Sequence, residues 1–105
     1  MDFIPTSRYL RQLQRLAKKY PSIEDDMAAL TAQLETHPTT GVPLGRDCYK
    51  IRLSISSKKA GKKGGGRVLT CVKIDQDTIY FLRLFDKSEQ STITDSQLTE
   101  ILKEL

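Results

Sequence analysis

Two apolar segments joined by a very short link constrain the fold of this chain most strongly. The segments RVLTCVKI (67–74) and TIYFLRLFD (78–86) are rich in β-branched and aromatic residues, and only DQD separates them. Segments of this composition form strands, and a link this short pairs them as an antiparallel hairpin. Because both segments are apolar along nearly their whole length, we predict that they lie at the centre of a sheet.

A third strand is predicted at 48–56, and its two faces differ in character. Apolar side chains alternate with polar ones along CYKIRLSI, with the period of two that is typical of a half-buried strand. The expected apolar face consists of Tyr49, Ile51, Leu53 and Ile55. Lys50 and Arg52 must then project together from the opposite face.

The N-terminal part of the chain predicts a short edge strand followed by a first helix. The tripeptide FIP (3–5) is the candidate strand, and Thr6 or Ser7 can cap the helix that follows. Apolar residues recur at helical spacing as far as Tyr20, which gives the helix one buried face. Pro21 ends this helix.

A second helix is predicted from Ser22 to His37, with Asp25 in the acidic position of a capping box. Its connection to the first helix is so short that the two must form an antiparallel αα-hairpin. The proline- and glycine-containing segment THPTTGVPLGRD (36–47) is predicted to be a loop.

The C-terminal segment ITDSQLTEILKEL (93–105) predicts a short helix that begins with a capping box of Thr94 and Gln97. The order of elements, (β)ααβββα, places the chain in the α+β class. We predict an N-terminal αα-hairpin packed on a small antiparallel-rich β-sheet with a short C-terminal helix, and with the helices gathered on one side of the sheet. The length of 105 residues favours a single domain spanning 1–105.

The composition argues against several classes of protein. The chain is 38% apolar and 29% charged, which is typical of a soluble globular domain. No apolar run approaches the roughly 20 residues of a membrane span, so we expect a cytoplasmic protein without membrane contact. Cys48, Cys71 and the single histidine, His37, lack the spacing of a zinc site. We expect no metal or cofactor, and we expect both cysteines to be small buried side chains.

Positive charge is concentrated in the middle of the chain. Residues 46–73 carry nine lysines and arginines and one acidic residue, whereas the net charge of the whole chain is +4. The densest part is the basic segment SKKAGKKGGGR (57–67), which joins two predicted strands. It lacks the P-loop pattern and a strand follows it, so a nucleotide-binding loop is not expected. A one-sided excess of this size indicates a polyanionic partner.

The predicted topology gathers part of this charge into one patch. If the strands at 48–56 and 67–74 are neighbours, Lys50, Arg52 and Arg67 lie close together beside the basic segment. The residues around this patch that we expect to bind nucleic-acid phosphates are Lys58, Lys59, Lys62, Lys63 and Arg46.

The ordered motifs CYKIRLSI, GGGRVLTCV and IYFLRLFDKSE resemble the RelE/ParE superfamily of toxins from bacterial type II toxin–antitoxin modules, and its RelE-like branch in particular. The resemblance extends over nearly the whole chain, from the helical hairpin to the terminal helix. It implies a ribosome-dependent mRNA endonuclease (an mRNA interferase) that inhibits translation and is masked by a cognate antitoxin protein. The implied substrate is messenger RNA on the ribosome. We expect the chain to be a monomer when it is free of antitoxin.

The resemblance also implies which cations are catalytic. Lys50 and Arg52 match the family's basic strand, and Arg67 matches the arginine that opens the next strand. Lys87 is the nearest match to a basic residue after the last strand. Some family members have a tyrosine a few residues later, whereas this chain has threonine and isoleucine at 92–94.

The chemistry of such a cleavage fits these residue types. Attack by the RNA 2′-hydroxyl needs a proton acceptor, positive charge near the phosphorus and a proton donor for the leaving oxygen. No histidine belongs to the patch, so a lysine must accept the proton, and the charges of Arg52 and Arg67 disfavour the protonated form of Lys50. Arg67 stays charged and can hold the phosphate with two N–H groups. Glu89 is an alternative base, although a solvated charge before a helix is its more common role.

Two other functions are compatible with the sequence. A ParE-like chain would keep this fold and inhibit DNA gyrase without cutting RNA, but such toxins generally lack the cationic set. A small non-catalytic RNA- or ribosome-binding module would also explain the concentrated charge.

Overall fold

The structure, a computed structural model, describes residues 1–58, 64–90 and 92–105, and within them the chain forms five strands and three helices. The strands are β1 (Asp2–Pro5), β2 (Val42–Gly45), β3 (Cys48–Leu53), β4 (Gly66–Lys73) and β5 (Thr78–Asp86). The helices are α1 (Ser7–Lys19), α2 (Ile23–Thr36) and α3 (Asp95–Leu102). Short 3₁₀ turns at Ser56–Lys58 and Ile74–Gln76 follow the third and fourth strands.

The predicted hairpin forms the centre of the sheet. The strand order is β1-β5-β4-β3-β2, and β4 pairs antiparallel with β3 on one side and with β5 on the other. Between β4 and β5, Asp77 adopts a left-handed φ of 51°, a conformation that aspartate tolerates in tight turns. The prediction that these two strands are central is confirmed.

The two edges of the sheet differ in part from the prediction. β1 is the expected edge strand, but it pairs in parallel with β5, so the sheet is mixed although mostly antiparallel. The predicted loop at 36–47 contains β2, which pairs antiparallel with β3, and the prediction is wrong there. Pro43 fits into β2 because an edge strand leaves one side of its backbone without a partner strand.

The helices cover both faces of the sheet, which contradicts the prediction that they gather on one side. Leu16 of α1 and Leu34 of α2 share a core with Leu84 of β5. On the opposite face, Leu98 of α3 packs in a second core with Leu69 of β4. Strands that are apolar along their whole length have side chains to bury on both faces, and the terminal helix covers the second one.

The helices begin where the sequence predicts, with one difference in capping. The caps of α1 and α3 are as predicted. At the start of α2, Ser22 donates a hydrogen bond to Asp26 Oδ2 (2.8 Å) and forms no capping box with Asp25. Asp26 also accepts hydrogen bonds from the backbone N–H and the hydroxyl of Ser56 (3.0 and 2.7 Å), which ties α2 to the chain that follows β3.

Two further observations concern the chemistry available to the fold. In the part of the chain that the structure describes, no helix is both long and apolar enough to cross a membrane, and no cluster of His, Cys, Asp and Glu could hold a metal ion. Cys48 and Cys71 are free thiols that are buried beneath α3, as predicted.

Candidate functional site

Arg52 and Arg67 lie directly opposite each other on β3 and β4. The hydrogen bonding between these strands shows what kind of pair they form. Val72 N–H donates to the carbonyl of Asp47 (2.8 Å), so these two residues form a hydrogen-bonded pair. Hydrogen-bonded and non-hydrogen-bonded pairs alternate along the two strands, and this alternation makes Arg52–Arg67 a non-hydrogen-bonded pair. In such a pair the Cα atoms are about 4.5 Å apart and the side chains project from the same face.

Lys50 lies on the same face as the two arginines. It precedes Arg52 by two positions on β3, and alternate residues of a strand point the same way. The structure therefore brings together three of the side chains that the sequence singles out. We call Lys50, Arg52 and Arg67 the cationic cluster.

The members of the cationic cluster differ in exposure. Arg67 is only 5% exposed, Lys50 is half-buried and Arg52 is exposed. Burial, and secondly the charge of Arg52, lower the pKa of Arg67 below its usual value. Because arginine titrates so far above neutrality, Arg67 still carries its charge, and Nη1 donates to the carbonyl of Gly66 (2.9 Å).

Two members of the cationic cluster, Lys50 and Arg52, have no acidic ion-pair partner in the part of the chain that the structure describes. An anion that approaches this face would therefore meet two guanidinium groups and an ammonium group without displacing an internal partner of Lys50 or Arg52.

Lys87, the fourth predicted catalytic cation, follows β5 at the end of the sheet where β4 begins. Its backbone N–H donates to the carbonyl of Gly65 (3.1 Å). The preceding residue, Asp86, is the register partner of Gly66, which adjoins Arg67. Sequence reasoning thus selected a lysine whose backbone lies at the same end of the sheet as Arg67.

The residues predicted to bind RNA phosphates are placed less uniformly. Outside the described residues lie Lys59, Lys62 and Lys63. Lys58 Nζ donates to Asp86 Oδ1 (2.5 Å), and Arg46 Nη2 donates to Asp95 Oδ1 (2.8 Å) at the start of α3. Both of these cations are paired with carboxylates, and their role in RNA binding stays a prediction.

A buried carboxylate, Asp86, is the feature of this region that sequence reasoning missed. It is 0% exposed at the end of β5. Its Oδ1 accepts hydrogen bonds from Lys58 Nζ and from Ser88 N–H (3.0 Å), and its Oδ2 accepts one from the Tyr20 hydroxyl (2.6 Å). Lys19 Nζ lies 3.9 Å from Oδ2. We call these five residues the Asp86 cluster.

The Asp86 cluster keeps its carboxylate ionised. Burial alone would raise the pKa of Asp86, but the hydrogen bonds from Lys58, Tyr20 and Ser88 outweigh burial and lower it. One signal in the sequence could have suggested this cluster: Asp86 directly follows the run IYFLRLF, which is apolar except for Arg83. An acidic residue in such a run is buried only where the fold supplies partners.

Two remaining sequence-based interpretations concern the segment after β5. Glu89, the alternative base, accepts two hydrogen bonds from the Arg15 guanidinium (3.1 and 3.2 Å) in an exposed pair. An exposed carboxylate that pairs with an arginine fits a solvated surface charge better than it fits a catalytic base. Thr94 caps α3. A helix therefore begins close to the place where the resemblance implies a tyrosine in some family members.

Comparison with known proteins extends these observations. No protein-family model matches the chain, and no curated protein matches it either. Among solved structures, the chain is similar to a double arginine-to-alanine mutant of the E. coli toxin RelE in the free state, with a TM-score of 0.65 and 15% sequence identity. The similarity covers 99% of this chain and 96% of that chain. The chain therefore has a RelE-like fold.

Proposed function

We propose that this chain is the toxin of a type II toxin–antitoxin module and that it cuts messenger RNA on the ribosome. The observation that carries the proposal is the pairing of Arg52 with Arg67 across β3 and β4, with Lys50 on the same face. The RelE-like fold supports it. It is also supported by the sequence resemblance to RelE-like toxins, which marks the positions of the cationic cluster as catalytic.

The proposed reaction is an internal transfer at one phosphodiester. The RNA 2′-oxygen attacks the adjacent phosphorus, the bond from phosphorus to the 5′-oxygen breaks, and a 2′,3′-cyclic phosphate and a 5′-hydroxyl result. Lys50 in its neutral form accepts the proton of the 2′-hydroxyl, and the leaving 5′-oxygen takes a proton from water to become the 5′-hydroxyl. Arg67 and Arg52 bind the non-bridging oxygens and stabilise the extra negative charge of the phosphorane, and Lys87 adds positive charge at the same end of the sheet.

The partners follow from this proposal. The substrate is messenger RNA held by the ribosome, so the protein acts in the cytoplasm. A cognate antitoxin masks the cationic cluster by adding an acidic or amphipathic segment to the groove between helices and sheet. Free of antitoxin, the chain is a monomer.

Cut-site mapping on a translated messenger tests the proposal against its two competitors. The wild-type chain should produce new 5′ ends at ribosome-occupied codons, and Arg67→Ala should remove them. The control is Lys103→Ala, just after α3. This change removes one positive charge that forms an exposed ion pair with Glu100, and it should leave the cuts unchanged. An intact messenger together with loss of supercoiling by gyrase would favour the ParE-like function. An intact messenger with retained ribosome binding would favour the non-catalytic module.

A further inference from the structure

We infer that Asp86 is a positioning residue of the cationic cluster: its buried carboxylate fixes Lys58 and the Gly65–Arg67 segment at the end of the sheet. That Arg67 then aligns an RNA phosphate is a consequence that rests on the proposed function. The anchoring of Lys58 and the Gly65–Arg67 segment by Asp86 does not depend on that function.

The register of the sheet connects Asp86 directly to Arg67. Asp86 pairs with Gly66, and its neighbour Phe85 pairs with Arg67. The two strands are packed closely here, because a Cβ atom at Gly66 would lie 3.2 Å from the Phe85 carbonyl oxygen. A shift of the chain at Asp86 would therefore be transmitted to the backbone of Arg67.

Two backbone hydrogen bonds from the residues that follow Asp86 add to this anchor. Ser88 N–H donates to Asp86 Oδ1, and Lys87 N–H donates to the carbonyl of Gly65 (3.1 Å). Asp86 thus holds the turn after β5, and the Lys87 amide of that turn holds Gly65, the residue that precedes β4. This places the backbone of Lys87 and the start of β4 under the control of one carboxylate.

Lys58 attaches the chain after β3 to the same carboxylate. Its backbone N–H donates to the carbonyl of Ile55 (2.9 Å), its Nζ donates to Asp86, and its side chain is 19% exposed. Nζ also lies 5.6 Å from the centre of the Tyr20 ring, in a cation–π contact. A lysine bonded in this way anchors the segment and would lose these contacts if it bound a phosphate directly.

The test compares Asp86→Asn with a matched control, Asp75→Asn, which makes the same change at an exposed aspartate in the turn at the other end of β5. In ribosome-programmed cleavage, Asp86→Asn should lower kcat by about 10- to 100-fold, because a small misplacement of an aligned group has an effect of this size. KM should change by less than about threefold, because the binding charges remain. Asp75→Asn should match the wild type.

A second measurement does not depend on cleavage. In the isolated chain, hydrogen exchange at the Lys87 amide should be at least about tenfold faster in Asp86→Asn through local opening, whereas the Val72 amide, at the far end of β4, should stay protected to the limit set by the lower global stability of the variant. A Val72 amide that stays protected shows that the variant is folded. If Asp86→Asn does not fold, Lys58→Met replaces it, because that variant keeps the hydrogen bonds of Asp86 to Tyr20 and Ser88.

The double variant Lys58→Met/Asp86→Asn separates anchoring from direct RNA binding by Lys58. If Lys58 acts through Asp86, the double variant should be no slower than the slower single variant. Multiplied losses, or an unchanged Lys87 amide in Asp86→Asn, would overturn the inference. A wild-type chain that cuts no messenger, but whose Lys87 amide still depends on Asp86, would refute the proposed function and support the anchoring.

Discussion

Arg52 and Arg67 face each other as a non-hydrogen-bonded pair, so two guanidinium groups project from one face of the sheet. Like charges in this position destabilise a sheet, and here one of them is buried as well. A bound phosphate would reduce the repulsion by placing a negative charge between the two guanidinium groups. An arrangement that is unfavourable in the free chain thus favours an anionic ligand.

Arg52→Gln should make the free chain more stable, because it removes the repulsion between Arg52 and Arg67. We expect the free energy of unfolding to rise by about 0.2–1 kcal/mol in low salt. The gain should shrink as salt screens the charges. Urea unfolding at low and high ionic strength measures it, with Arg11→Gln on the exposed surface of α1 as the control. A loss of stability that does not depend on salt would show that the two arginines do not repel each other.

Asp86→Asn should destabilise the chain in a pH-dependent way. The pKa of Asp86 is lowered in the folded state, so its contribution to stability is fully present above the unfolded pKa of about 3.9 and is lost as the pH falls through the folded pKa. We expect a loss of roughly 3 kcal/mol at neutral pH, as for other broken buried ion pairs, and a smaller loss below about pH 3.5.

Urea unfolding of the wild type and of Asp86→Asn across this pH range checks the expectation. Asp75→Asn serves as the control because that aspartate is exposed. A destabilisation that is the same in acid as at neutrality would mean that the charge of Asp86 contributes nothing.

Gly41→Ala should cost far more stability than Gly45→Ala. Both glycines have positive φ angles, 108° and 85°, so an alanine is strained at either position. At Gly41 a Cβ atom would also lie 2.6 Å from the carbonyl oxygen of Lys50, whereas at Gly45 nothing lies within 4 Å. We expect about 1–2 kcal/mol for Gly45→Ala from strain alone, and a clearly larger loss for Gly41→Ala. Equal melting temperatures for the two variants would contradict the close approach of Gly41 to β3.

Cys71 should react with iodoacetamide before Cys48 does. The two thiols oppose each other across β3 and β4, and this contact, with help from Lys73, lowers the pKa of Cys71 against the effect of burial. The same contact raises the pKa of Cys48. Peptide mapping should show slow labelling of the folded chain, because both thiols are buried, with Cys71 labelled first and the rate rising with pH. Labelling at the same rate at both sites would contradict this assignment of the thiolate.

The sequence predicts those parts of the fold that depend on local patterns. The alternation in CYKIRLSI correctly places Lys50 and Arg52 on one face, and the short DQD link correctly predicts the central hairpin. β2 was missed because its residues, VPLG, resemble a loop and become a strand only by pairing with β3. The position of α3 was missed because an amphipathic helix does not encode which face of a sheet it covers.

The candidate site shows the same limit. That Arg67 meets Arg52 follows from the order of the strands, which the short connections indicate. The ion pair between Lys58 and Asp86 joins residues that are 28 positions apart, and no local pattern encodes it. From the sequence, Lys58 is predicted to bind RNA phosphate, whereas in the structure its ammonium group is paired with the buried carboxylate of Asp86.

Single-turnover cleavage by Arg67→Ala on a messenger-programmed ribosome tests the central claim, that the cationic cluster stabilises the scissile phosphate in the transition state. We expect a rate at least about 100-fold below the wild type at saturating ribosome, with binding weakened by only about tenfold or less. Arg67→Lys should not restore the rate, because an ammonium group cannot donate two parallel hydrogen bonds. A cleavage rate at saturation equal to that of the wild type would contradict the claim.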